Sequence, residues 1–136
     1  MRRLGFLLSL FSILVLFAPA AEKDFAGTYA GDWTGGSASG ELRMTLKQAE
    51  DQADGKWKCE ASFTLGGQEV KTTMKSLKVE DARIEIQYEF DLQGNRLQST
   101  LTGQLEGRTL EGKYKTIAVA DSSPVDEGVW KVTAKQ

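Results

Sequence analysis

The chain has no histidine, a single cysteine and two prolines in 136 residues. Lack of histidine removes the side chain that most often serves as general base or metal ligand. One thiol, Cys59, cannot make an internal disulfide, so an exported form of this chain must draw its stability from packing. Clustered charge of one sign is missing too. The 17 basic residues are scattered among 19 acidic ones, which leaves no footprint for nucleic acid and no basic patch for anionic lipid. The glycine pairs Gly35-Gly36 and Gly66-Gly67 are not followed by a helical pattern. They read as turns, since a phosphate cradle needs a helix N-terminus behind it. No catalytic residue, metal-ligand set or cofactor motif is read from the chain.

Long apolar runs are absent after the first 20 residues. Within them, Met1-Arg2-Arg3 precedes an almost unbroken apolar run of 14 residues, Leu4 to Phe17, and then Ala18-Pro19-Ala20. This is the layout of a secretory signal peptide, with small residues at the −3 and −1 positions of the cleavage site. The run is short for a membrane span, which needs about 20 apolar residues. The reading is therefore a cleaved signal over 1–20, a single domain over 21–136, and no stable membrane insertion after cleavage. The location is the periplasm or the extracellular medium. Cleavage removes two basic and no acidic residues, taking the net charge from −2 to −4.

The remainder alternates with a period of two, the mark of half-buried strands. Trp57, Cys59, Ala61, Phe63 and Leu65 share one parity, with charged and hydroxyl residues between them. Leu42, Met44 and Leu46 repeat the pattern, as do Ile84, Ile86, Tyr88 and Phe90. Eight strands are predicted, over 27–34, 40–48, 56–65, 68–79, 83–92, 96–105, 109–118 and 127–134. The parity change between Met74 and Leu77 calls for a β-bulge near Lys75-Ser76. Ala49 to Gly55 and Ala120 to Asp126 read as loops. The predicted fold class is all-β: an antiparallel up-and-down meander closed into a small barrel. Closure buries the apolar face and removes both edges. Gly27, Gly31, Gly103, Gly112 and Gly128 fall on the inner parity, where they permit tight coiling and leave room for Trp33 and Trp130.

Gly27-Thr28-Tyr29-Ala30-Gly31-Asp32-Trp33 resembles the Gly-x-Trp opening strand of lipocalin-like and avidin-like barrels. The later rhythm is similar to that of small exported bacterial domains of unassigned function. Leu46-Lys47-Gln48, Leu101 to Gly107, Leu110 to Tyr114 and Gly128-Val129-Trp130 carry that likeness. The resemblance implies a calycin-type barrel and says little about function. Lipocalins usually place an arginine late in the chain, packed over the opening Trp. Here the last strand offers Lys131 and Lys135, and Lys131 has outward parity. No binding residue is carried over from either family.

Glu85, Glu89 and Asp91 could form an acid pair, but their parity places them on the solvated face. Cys59 has inner parity and is read as an inert core thiol. Tyr29, Trp33, Tyr88, Tyr114 and Trp130 all point inward and are the candidate ligand-binding residues. Inward Thr72, Ser76, Ser99 and Thr116 are candidate partners for the buried hydroxyls. The function read from this is a non-enzymatic exported barrel that binds a small apolar or amphipathic ligand or serves as an accessory domain. The alternative is a structural or protein-interaction module whose core the aromatics fill, with no partner named by the sequence. A carboxylate-based hydrolase comes third.

Overall fold

The computed structural model describes residues 25–48 and 57–135. The expected signal peptide over 1–20 and the loop over 49–55 lie outside these residues. The described residues form nine strands: β1 (Gly27–Gly35), β2 (Ser39–Gln48), β3 (Trp57–Leu65), β4 (Gln68–Lys71), β5 (Thr73–Glu80), β6 (Arg83–Leu92), β7 (Asn95–Glu106), β8 (Thr109–Ala118) and β9 (Pro124–Ala134). They make one antiparallel sheet in the order β4-β3-β2-β1-β9-β8-β7-β6-β5. It is a meander curled into an open half-barrel, with its apolar parity inside.

Two expectations are corrected here. The described residues hold nine strands rather than eight, and their sheet is not closed by a continuous ladder. Both differences come from the predicted strand 68–79, which breaks at Thr72. Its first part pairs with β3, ending at Ser62 opposite Lys71. The Thr72 hydroxyl then donates to the Ala61 carbonyl at 2.6 Å. Beyond that point the chain leaves β3 and pairs with β6, starting at Thr73 opposite Glu89. One short strand cannot follow two diverging neighbours along their full length, so β4 and β5 become the two edges. The expected bulge is present as a register shift between Met74 and Ser76. It turns Ser76 outward, where its hydroxyl meets Gln87 at 3.3 Å, so the inward placement of Ser76 is also corrected.

The first and last strands are neighbours, with Trp33 directly opposite Trp130. Inner glycines allow this region to coil. Gly103 lies under the Trp130 ring, which a Cβ there would approach to 2.6 Å. Gly66 and Gly67 have φ of +59° and +82°, the left-handed pair of a tight two-residue hairpin.

One end of the half-barrel is plugged. Phe25 is fully buried, packs edge-on against Trp57 with ring centroids 6.0 Å apart, and accepts a 2.8 Å hydrogen bond from the Tyr29 hydroxyl at its carbonyl. Leu46, Leu110 and Val132 are also fully buried. The other end, where β1, β6 and β8 finish, is ringed by turns and stays open.

Candidate functional site

The open end leads into a cavity of about 180 Å³. Four of the five candidate residues line it: Trp33, Tyr88, Tyr114 and Trp130. The fifth, Tyr29, lies at the plugged end with its hydroxyl committed to Phe25. The four meet because their strands present the same parity at the same height. Trp33 is set by the β1–β9 ladder, and Gly103 and Gly112 on β7 and β8 are opposite each other beside Trp130.

The walls are aromatic. Trp33 stands nearly perpendicular to Phe63 and to Tyr114, with centroids 5.9 and 6.0 Å apart. Phe63 meets Phe90 edge-to-face at 4.9 Å and stacks near Tyr88 at 6.2 Å. Such pairs add stabilisation beyond the area they bury and fix the ring orientations. The indole nitrogens are tied to backbone: Trp33 Nε1 donates to the Thr64 carbonyl and Trp130 Nε1 to the Lys113 carbonyl, each at 3.1 Å.

Polar atoms occupy two places. In the wall of the cavity, Ser99 and Thr116 are buried and hydrogen-bond to each other through their hydroxyls. Burial pushes the Tyr88 phenol well above the usual tyrosine range, the nearby Cys59 adds to this, and the neighbouring Ser99 offsets part of it. At the mouth, the Tyr114 hydroxyl donates to Asp126 Oδ2 at 2.7 Å, and the Gly36 amide donates to Asp126 Oδ1 at 3.0 Å. Desolvation, the bond to Asp126 and the charge of that carboxylate together hold the Tyr114 phenol above its ordinary value. A side chain at Gly35 would collide with both the carboxylate and the phenol, so bare backbone seats this pair.

Asp126 was not among the residues the sequence singled out, because Pro124 suggested a loop through Asp126. The strand in fact begins at Pro124, and the first residue of a strand is a place where proline is tolerated. Asp126, Gly128, Trp130 and Val132 share one parity, and extending that row backwards would have found the carboxylate.

The outer face carries Glu89 and Asp91. Arg96 bridges Glu89 at 3.2 Å and Asp91 at 3.1 Å, and its Nε and Nη2 donate to the two oxygens of Asp91. This outward ion-pair cluster lies on the opposite side of the sheet from the cavity. Lys131 is exposed, 4.0 Å from Glu111, and the place over the opening Trp belongs to Phe63 and Tyr114.

Cys59 is buried, and its thiol is pushed up to about 12, first by burial and then by the charge of Glu60. Native protein is therefore expected to react with a thiol reagent far more slowly than unfolded protein, as its thiol is buried and its thiolate scarcer. Stopped-flow labelling with and without urea checks this. Since the folded value lies above the ordinary 9.0, the contribution to stability is complete below pH 9 and is lost as pH rises towards 12. Tyr88 and Tyr114, also shifted upward, act in the same direction. Urea midpoints should fall as pH rises above 9.

Comparison with known proteins adds no relative: no family model, no curated protein and no solved structure matches the chain.

Proposed function

We propose that the chain is an exported, non-enzymatic binding module that takes one small apolar or amphipathic molecule into the open end of its half-barrel. The observation that carries this reading is the cavity of about 180 Å³, with aromatic walls and both hydroxyl and carboxylate groups in its lining. An apolar void of about 150 Å³ admits a benzene-sized guest, whereas drug-sized ligands occupy roughly 300–1,000 Å³. The guest is thus one ring or a short branched chain. Export rests on the signal-peptide pattern of residues 1–20. Kinship with lipocalin-like and avidin-like barrels, supported by the Gly31-Asp32-Trp33 opening, belongs to the same proposal.

The mouth offers a clean test. Ala38 is a half-buried residue of the β1–β2 turn that lines the cavity. Ala38→Trp should plug the opening without touching the ladders. Toluene or phenol titrated into the native protein should quench Trp fluorescence or shift aromatic NMR signals, and the variant should lose at least about tenfold in affinity. Its urea midpoint should move by less than about 0.5 kcal/mol equivalent, as for other peripheral substitutions. If neither protein responds to any small aromatic, the rings are a filled core and the interaction-module reading takes over.

A further inference from the structure

The charge in the cavity is of one sign. Asp126 lines it, while among the described residues no Lys or Arg does. Each Asp126 oxygen accepts one bond from the protein, from Gly36 or from Tyr114, and a carboxylate oxygen has room for a second. The group is thus held in place and still able to receive a guest. The surrounding rings matter as much. Trp33 and Tyr114 stand 86° apart with centroids at 6.0 Å, so they make a corner that offers a guest a π face on one side. The negative face of an aromatic ring attracts a cation within about 6 Å of its centroid, most strongly for Trp. Donation of the Tyr114 proton towards a carboxylate enriches that ring further.

From this arrangement we infer that the guest carries an organic cation, a small substituted ammonium, with its charge beside Asp126 and its carbon shell against Trp33 and Tyr114. The inference rests on the proposal that the cavity binds a small molecule. Charge balance selects the class. An anion would enter an aromatic-walled site next to a carboxylate with no compensating cation among the described residues, which is costly. A metal ion needs several oxygen ligands, and one carboxylate cannot replace its water. An alkylated ammonium is weakly hydrated, spreads its charge over a methyl surface, and needs only one counter-charge and aromatic contact.

Three probes of one shape separate the outcomes: choline, its uncharged carbon isostere 3,3-dimethylbutan-1-ol, and the anion 3,3-dimethylbutanoate. Titration calorimetry on the folded protein is expected to rank choline above the alcohol by about tenfold or more, with the anion weakest. Asp126→Asn keeps the shape and removes the charge, so choline should fall to the level of the alcohol while the alcohol is unchanged. The ranking on unaltered protein needs no variant and stands even if Asp126→Asn folds poorly. Equal binding of choline and the alcohol, or preference for the anion, overturns the cation assignment and leaves the binding proposal intact. Failure of all three to bind, together with failure of toluene and phenol, removes the proposal itself.

Discussion

Replacement of Trp130 by Ala is expected to cost about 3–5 kcal/mol, the range for a buried Trp or Phe truncated to Ala. Total stability for a domain of this size is roughly 5–15 kcal/mol, so the variant should be largely unfolded or melt far below the parent. Trp130 is 2% exposed, covers Gly103, and satisfies the Lys113 carbonyl through its indole nitrogen. The substitution empties a volume that glycines cannot fill and leaves that carbonyl without its side-chain donor. Trp33→Ala should have a smaller effect, since Trp33 is the more exposed of the two at 9%. Because the two residues sit opposite each other on β1 and β9, the losses should be non-additive by at least about 0.5 kcal/mol. A double-mutant cycle on urea midpoints measures this. Strict additivity, with single losses below about 1 kcal/mol, would mean that the first and last strands do not pair.

The second large effect is expected at Gly112, where an added methyl group meets backbone rather than a movable side chain. A Cβ would run into the Thr102 carbonyl and come within 2.6 Å of the Gly103 Cα on β7. Gly112→Ala can be accommodated only if β7 and β8 move apart, which breaks the ladder around Gly103 opposite Gly112. The predicted loss is about 3 kcal/mol or more, at or above the upper end for overpacking. Gly36→Ala is the control. Its Cβ would find Asp126 Oδ1 at 3.6 Å, an ordinary contact, and the change should be worth less than about 0.5 kcal/mol. Equal melting points for the two variants would show that β7 and β8 do not coil this closely.

Strand identity was legible because alternation is a local property. Ile84, Ile86, Tyr88 and Phe90 declare a buried row without reference to anything else in the chain, and all four are buried. The bulge after Met74 was legible for the same reason. Where the strand over 68–79 would leave β3 for β6 was not, because that depends on the curvature of the whole sheet. Phe25 lies on the parity of Tyr29 but ahead of the first paired residue, so nothing local marked it as the plug. The candidate rings could be named from parity, yet whether they fill the interior or leave a cavity turns on volumes of a few methyl groups. Asp126 was lost to a proline that happens to begin a strand rather than end one.

The strand order has a kinetic consequence. β1 to β4 pair in chain order, as do β5 to β9, and the two series meet in the β1–β9 ladder. Every other ladder joins strands that are consecutive in the chain, whereas Trp33 and Trp130 are 97 positions apart. Closing a loop of that length costs about 2 kcal/mol more than closing one of about ten residues. Hairpins should therefore form first within each series, with docking of the two meanders as the late event on the way to the native state. Interactions made after the barrier govern how fast a protein comes apart, not how fast it assembles. Weakening the Trp33–Trp130 junction should then steepen neither arm of the chevron but lift the unfolding limb. The middle of this sheet thus sets the lifetime of the folded molecule.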